Sequence, residues 1–362
     1  MGVRLLGAAA LALVTAAARR DCRCEDLALA RRASAPPRRV VVPAAFASRN
    51  LSSQVALLKV PETGSSTAAN VFAELAAKFK RPAWVSMRPG EFERVVAAPP
   101  RTAPKWALGH RGWGPWLRDH FDERLVDLAT TARAPAARLA SSAEKRLLRG
   151  EPADCERSAG VALKFWGVDA QKGPAAGARH FLKVFDDVVV TERYNESLVA
   201  FALRRRLQLG DVLPPLAKYH GGGGRAGARA GTPTRAEAMR RCAATARGGS
   251  AELAVERAIH AAASARLDAT LGELRECGVD VDALLAAFAE HLHAAMTSGA
   301  RHVAKALGRP TSPAVGADTL IMSLCFRRCA IAALNRAVVL EYPGPEAPRA
   351  GRARGWLRRG AD

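Results

Sequence analysis

Three hydroxyl side chains follow a Thr-Gly pair in the stretch TGSST at residues 63–67. A Val- and Leu-rich run at 54–60 precedes this stretch, and an Ala-rich helical pattern follows at about 67–79. When a strand, a Gly/Ser/Thr turn and a helix come in this order, backbone N–H groups and the helix N-terminus converge on an anion. The pattern predicts a phosphate or sulfate site, with an ordinary strand-to-helix turn as the alternative. It is not a Walker A loop, because G-x-x-x-x-G-K-[ST] does not occur.

Two charged residues of opposite sign lie just before this stretch. Lys59 stands at the predicted strand end, where its ammonium could reach a bound anion, and Glu62 directly precedes Thr63. Two unit charges about 4 Å apart interact by about 4 kcal/mol at an effective dielectric constant of about 20. A carboxylate at the tip of the loop is therefore expected to repel the anion that the rest of the pattern attracts.

The elements that must position this loop alternate between strand and helix in the first half of the chain. Strand patterns occur at 83–87, 106–108 and 187–191. Helical patterns cover 129–149, the stretch from the capping residue Asn195 to about 207, 251–276, 281–307 and 318–340. This order predicts an α/β fold with a central, mostly parallel sheet, flanking helices and a helix-rich C-terminal half.

The composition favours a globular protein with anionic partners. The chain has 362 residues, 49% of them hydrophobic, with a formal net charge of +21 and a pI of about 10.7. An arginine-rich coding bias is an equally good explanation for part of this charge. Because we find no zinc finger or RNA-binding signature, we expect no nucleic-acid partner. No Cys-x-x-Cys pair faces another at zinc spacing, so we expect no metal.

The N-terminus reads as a targeting segment. Residues 5–18 form an apolar run closed by Arg19-Arg20, too short for a full membrane span. We interpret 1–19 as a signal peptide or a short signal anchor, 20–50 as a stem and 51–342 as the folded domain. A Gly-rich stretch at 221–231 indicates a flexible insertion, and 343–362 a basic disordered tail. In a secretory protein some of the seven cysteines would pair, leaving at least one free.

Three segments resemble the galactose-3-O-sulfotransferase group of Golgi carbohydrate sulfotransferases, which includes the galactosylceramide sulfotransferases. The loop at 57–72, LLKVPETGSSTAANVF, is similar to that group's Lys-Thr-His-Lys-Thr-Gly-Ser-Ser-Thr loop. Residues 188–215 resemble its Glu-Arg-Phe-Asp-Glu-Ser-Leu-Val segment, and 162–170 resemble the stretch before it more weakly. The loop residues that match are Lys59, Thr63, Gly64, Ser65, Ser66 and Thr67. The resemblance covers about 51–310.

The resemblance implies a P-loop NTPase-like sulfotransferase fold that uses 3'-phosphoadenosine 5'-phosphosulfate (PAPS) without a metal. It implies transfer of the sulfuryl group to a hydroxyl of a galactose-containing glycan or glycolipid. The matching loop residues would hold the co-substrate, with Lys59 also neutralising the leaving phosphate. His110, in ALGHRGW, resembles the family's Gly-His segment and becomes the candidate base. The domain would lie in the Golgi lumen behind a type II anchor, or be secreted.

Two departures from the family pattern stand beside this resemblance. Glu62 occupies the place of the family's loop lysine. The family's 3'-phosphate motif resembles Arg-Asp-Pro with a serine several residues on. The nearest copy is Arg118-Asp119, which lacks the proline and has Asp127 in place of the serine. A lost exon would account for this as well as divergence would.

These departures keep two alternatives open. The first is a catalytically impaired relative that acts as a glycan- or nucleotide-binding protein. The second is an unrelated nucleotide-binding, kinase-like protein, which the missing Walker lysine disfavours.

Overall fold

A computed structural model describes residues 36–44, 46–47, 50–86, 99–148, 151, 155, 158–214, 235–306 and 318–343. The predicted signal segment at 1–19, the Gly-rich insertion at 221–231 and nearly all of the basic tail lie outside these residues. Within the described ranges, none of the helices combines the length and hydropathy required to cross a bilayer.

The centre of the fold is a five-stranded, all-parallel sheet. Its strands are β2 (Gln54–Leu58), β3 (Ala83–Ser86), β4 (Lys105–Gly109), β5 (Val126–Ala132) and β6 (Asp187–Val190), in the order β3-β4-β2-β5-β6. Every residue of β2, β4 and β5 is buried, as expected for a parallel sheet covered on both faces. The carboxyl ends of β2, β4 and β5 therefore meet at one edge. The loop at residues 59–64, which contains the Thr-Gly pair, starts there.

Helices flank this sheet and dominate the C-terminal part. They are α1 (Ser65–Lys78), α2 (Pro115–His120), α3 (Pro135–Leu148), α4 (Val161–Trp166), α5 (Pro174–Val184), α6 (Tyr194–Arg204), α7 (Arg235–Arg247), α8 (Ala251–Glu276), α9 (Val281–Ala306) and α10 (Asp318–Ala337). A separate two-stranded parallel sheet joins β1 (Arg38–Val41) to β7 (Val338–Glu341). The predicted α/β class with a helix-rich C-terminal part is confirmed.

One stretch differs from its prediction in a way that matters for the site. We expected 129–149 to be helical, but its first residues complete β5 and only Pro135–Leu148 form α3. The β-branched Thr130 and Thr131 favour a strand, and a proline begins a helix more readily than it continues one. The prediction was wrong because Ala-rich flanks hid this boundary. It placed Arg133, which directly follows β5, inside a helix.

A buried ionic cluster joins β5, β6 and the residue after α6. Arg205 is fully enclosed, and its guanidinium contacts Asp187 in two hydrogen bonds and Asp127 at 3.3 Å. Burial alone would lower the pKa of Arg205, but Asp187 and Asp127 outweigh it and raise the pKa. Asp127 also accepts the Ser52 N–H at 2.8 Å. Asp187 begins β6, so the cluster lies near the amino ends of the strands, opposite the loop.

A second small core packs α3 against α7. It contains Leu139, Ala143, Cys242 and Leu253. A disulfide between Cys155 and Cys242 closes this core, and Cys277 is free and exposed among the described cysteines. This packing fixes α3, whose Ser141 and Lys145 reach the loop at the sheet edge.

Candidate anion site at the carboxyl edge of the sheet

The loop between β2 and α1 leaves a helix N-terminus without a side-chain cap. Its N-cap is Gly64, with φ 69°. Thr67 and Ala68 donate their N–H groups to the Gly64 carbonyl at 3.0 and 3.3 Å. The N–H groups of Ser65 and Ser66 have no backbone acceptor among the described residues. These N–H groups and the positive end of the helix dipole are suited to an anion.

Gly64 is required at this N-cap for two reasons. Its left-handed backbone is one that residues with a Cβ rarely adopt. A Cβ there would also lie 3.3 Å from the Thr191 methyl carbon. Thr191 in turn donates to the carbonyls of Thr63 (2.7 Å) and Ala132 (3.0 Å), so the turn after β6 closes over the loop.

The predicted hydroxyl residues divide into two pairs. The hydroxyls of Thr63 and Ser65 both donate to the Val60 carbonyl at 2.8 Å, so they shape the loop from inside. Those of Ser66 and Thr67 are partly exposed and have no hydrogen-bond partner in the part of the chain that the structure describes. Ser66 and Thr67 are therefore the hydroxyls that can donate to a ligand.

Glu62 pairs its carboxylate with side chains of α3. Its backbone is left-handed, with φ 62°, which is unusual for a residue with a Cβ. Its carboxylate accepts hydrogen bonds from Lys145 Nζ at 2.9 Å and Ser141 Oγ at 3.2 Å, both on α3. Its carbonyl accepts Arg133 Nη1 at 2.9 Å. The expected repulsion is thus offset by an ion pair, and the local backbone strain sets the direction of the side chain.

His110 lies directly after β4 and faces the same loop. Its Nδ1 is 2.8 Å from the Lys59 carbonyl oxygen. A carbonyl can only accept, so Nδ1 donates and the neutral ring keeps its lone pair on Nε2. Burial lowers the pKa of His110 most, and the charges of Lys59 and Lys145 lower it further; the hydrogen bond to the Lys59 carbonyl and the charge of Glu62 oppose this without reversing it. The ring is therefore neutral at pH 7 and can accept a proton.

Lys59 is 2% exposed and connects β2 to β4 through its backbone. Its N–H donates to the Gly109 carbonyl at 2.9 Å. Its carbonyl accepts the hydrogen bond from His110 Nδ1, and its charge lowers the pKa of His110. The structure thus brings two of the predicted catalytic residues, Lys59 and His110, into contact.

Arg118 lies elsewhere. It is on α2, its side chain is 42% exposed, and its guanidinium is 3.8 Å from the adjacent Asp119 carboxylate. No hydrogen bond or ion pair between described residues joins it to residues 59–67.

Two residues that we did not predict from sequence contact the loop instead. Arg133 follows β5 directly, and Ser141 stands eight residues further on, with Pro135 between them. This order, Arg-Ala-Pro with a downstream serine, fits the Arg-Asp-Pro pattern sought around Arg118 except for one alanine. The prediction of a single helix over 129–149 obscured this order of residues.

Arg133 is held by the turn that follows β6. The Glu192 carboxylate is 3.9 Å from Arg133 Nε, accepts the Ala134 N–H at 3.1 Å and lies 3.1 Å from His260 Nε2. Burial acts to raise the pKa of Glu192, but the hydrogen bonds from His260 and the backbone outweigh it and lower the pKa. Glu192 is thus a carboxylate near the arginine beside the loop.

Taken together, the loop has more positive than negative side chains near it. The positive side chains of Lys59, Arg133 and Lys145 are accompanied by two carboxylates, those of Glu62 and Glu192, at a helix N-terminus with two available hydroxyls. This arrangement suits an anion with more than one negative charge. Among the described residues no group of His, Cys, Asp and Glu is placed to hold a metal ion.

No protein-family model and no curated protein sequence matches the chain.

Proposed function

We propose that this chain is a PAPS-dependent sulfotransferase with a P-loop NTPase-like sulfotransferase fold. Its acceptor would be a hydroxyl of a galactose-containing glycan or glycolipid. One observation carries the proposal: His110, Arg133 and Lys145 contact residues 59–62, the loop that leads into an uncapped helix N-terminus at the carboxyl edge of a parallel sheet. Ligands bind at this edge in open α/β sheets.

Each residue has a distinct role in this proposal. The N–H groups of Ser65 and Ser66 and the hydroxyls of Ser66 and Thr67 hold the 5'-phosphosulfate. Arg133 and Ser141 bind the 3'-phosphate, because they have the spacing of the family's 3'-phosphate motif and border the loop. Lys59 and Lys145 supply positive charge beside the leaving phosphate. When bound, PAPS supplies the sulfuryl group and leaves as adenosine 3',5'-bisphosphate.

His110 would act as the general base. Its Nε2 takes the proton of the acceptor hydroxyl while the new oxygen–sulfur bond forms and the bond between sulfur and the phosphate oxygen breaks. The negative charge that develops on the phosphate is stabilised by the helix N-terminus and by the nearby lysines. The hydrogen bond from Nδ1 to the Lys59 carbonyl fixes the tautomer that this role needs.

The disulfide supports a location in the secretory pathway. Disulfides such as Cys155–Cys242 persist in oxidising compartments and are rare in the cytosol. The proposed location is the Golgi lumen, with residues 1–19 as a type II anchor, or the exterior if that segment is cleaved.

Calorimetry with adenosine 3',5'-bisphosphate tests the proposal and decides between two arginines. We expect the full-length protein to bind it and Arg133→Met to weaken binding by about 10- to 100-fold, because charge-assisted hydrogen bonds contribute about 1.5–3 kcal/mol. Arg118→Met is expected to change affinity by less than about threefold, since Arg118 is exposed and, among the described residues, pairs only with Asp119. A folded protein that binds no nucleotide would refute the proposal, and the reverse order of the two variants would restore Arg118.

A catalytically impaired, nucleotide-binding relative is the second candidate, and Glu62 is the observation that favours it. Its carboxylate accepts hydrogen bonds from Lys145 and Ser141, which could otherwise donate to a bound anion. Under this alternative the chain binds the nucleotide but transfers no sulfuryl group.

Glu62→Gln measures how much this carboxylate limits the site. We expect the affinity for adenosine 3',5'-bisphosphate to rise by about 3- to 10-fold, because one nearby negative charge is removed and Lys145 is released. Glu237→Gln, which removes a carboxylate from an exposed pair with Arg241 on α7, is the matched control. A lower affinity in Glu62→Gln would instead show that Glu62 positions Lys145 for the ligand.

A further inference from the structure

The hydroxyl of Tyr194 is a buried donor without an acceptor. Its oxygen is inaccessible to solvent and has no hydrogen-bond partner among the described residues. Burial raises the pKa of the phenol well above its ordinary value, so the group stays protonated. A buried hydroxyl that lacks a partner destabilises the folded state, and native proteins keep few such groups.

Tyr194 lies against the loop of the anion site. It is the first residue of α6, directly after the turn whose Thr191 bonds to Thr63. Its ring carbon Cε2 is 3.7 Å from the position that a Cβ would have on Gly64, and the next ring carbon carries the hydroxyl. The unpartnered donor is therefore beside the uncapped N-terminus of α1.

We propose that the Tyr194 hydroxyl is a further ligand-binding group of this site and donates a hydrogen bond to an oxygen of the bound anion. The inference deepens the proposed function, on which it rests for the identity of the ligand as a phosphosulfate. The observation behind it, an orphan donor at a helix N-terminus, requires only an oxyanion such as sulfate or phosphate.

A binding role and a structural role differ in the sign of their effect on stability. If the hydroxyl gains a partner only when an anion binds, Tyr194→Phe removes an unsatisfied group from the ligand-free protein. The Tm of the variant is then higher than that of the wild-type protein. The same change removes a hydrogen bond to a charged ligand, so affinity falls. If the hydroxyl already bonds to protein or water, the Tm falls instead.

The test uses the full-length chain, thermal unfolding without ligand, and calorimetry with inorganic sulfate and with adenosine 3',5'-bisphosphate. For Tyr194→Phe we expect a Tm increase of about 2 °C or more and a roughly tenfold or larger loss of affinity. Tyr342→Phe is the control with opposite sign, because the Tyr342 hydroxyl donates to the Leu207 carbonyl at 2.6 Å. Its Tm should fall and its affinity should stay unchanged.

The two ligands separate this inference from the proposed function. Binding of sulfate but not of the bisphosphate would refute the sulfotransferase proposal, and the effect of Tyr194→Phe on sulfate affinity would still decide the inference. Unchanged affinity in Tyr194→Phe, a lower Tm, or no anion binding by the wild-type protein would each overturn it.

Discussion

Under the proposed function, replacing His110 by glutamine is expected to lower the rate of sulfuryl transfer by about 10²- to 10⁴-fold, the usual contribution of a general base. Glutamine can still donate to the Lys59 carbonyl, as His110 Nδ1 does. It has no lone pair of comparable basicity for the acceptor proton. The affinity for adenosine 3',5'-bisphosphate should therefore change little, and kcat should carry the loss.

The pH profile offers a second readout of the same residue. Burial and the neighbouring lysines lower the pKa of His110, so its base form persists below the ordinary titration range near pH 6.5. The acid limb of kcat should thus begin below about pH 6.5 and disappear in His110→Gln. His293→Gln on α9 is the control, since its imidazole bonds to Thr297 on the same helix and to no other described residue. A variant with undiminished kcat would exclude Nε2 as the base.

Replacing Arg205 by methionine is expected to reduce the free energy of unfolding by about 3–5 kcal/mol. The guanidinium is enclosed between the carboxylates of Asp127 and Asp187. Methionine has a similar volume, but it leaves the buried carboxylates of Asp127 and Asp187 without the guanidinium between them. Both carboxylates belong to strands of the central sheet, so the damage should affect the global unfolding transition, which urea denaturation measures.

Two comparisons make the Arg205 result specific. Arg241→Met breaks an exposed pair with Glu237 and should cost no more than about 0.5 kcal/mol. Adding Asp187→Asn to Arg205→Met removes one of the two buried carboxylate charges. It should restore part of the lost free energy of unfolding. A shift below about 1 kcal/mol in Arg205→Met would mean that water or neighbouring groups solvate the two carboxylates.

The sequence predicted the loop because strand, turn and helix signals are all local there. The β-branched and Leu-rich run before Lys59 reads as a buried strand, and Gly64 and the hydroxyls mark the turn. The predicted strand at 106–108 likewise placed His110 at a strand end. These patterns depend only on neighbours in the chain, so they need no knowledge of the tertiary fold.

The rest of the site depends on which strands are adjacent, and local patterns do not encode this. Lys59 meets His110 because β2 pairs with β4, and Glu62 meets Arg133 because β2 also pairs with β5. The ion pair of Glu62 with Lys145 joins residues 83 positions apart. A charge that looked unfavourable in the sequence acquires its partner only when α3 packs beside the loop.

The disulfide between Cys155 and Cys242 closes a covalent ring within the chain. It joins residues 87 positions apart, so everything between them, including β6, α6 and the Gly-rich stretch at 221–231, forms a closed ring. A single peptide-bond break in that ring opens a circle but does not divide the molecule. The exposed stretches of the ring can therefore be cut, or lengthened by insertion, while the two halves of the protein stay covalently joined.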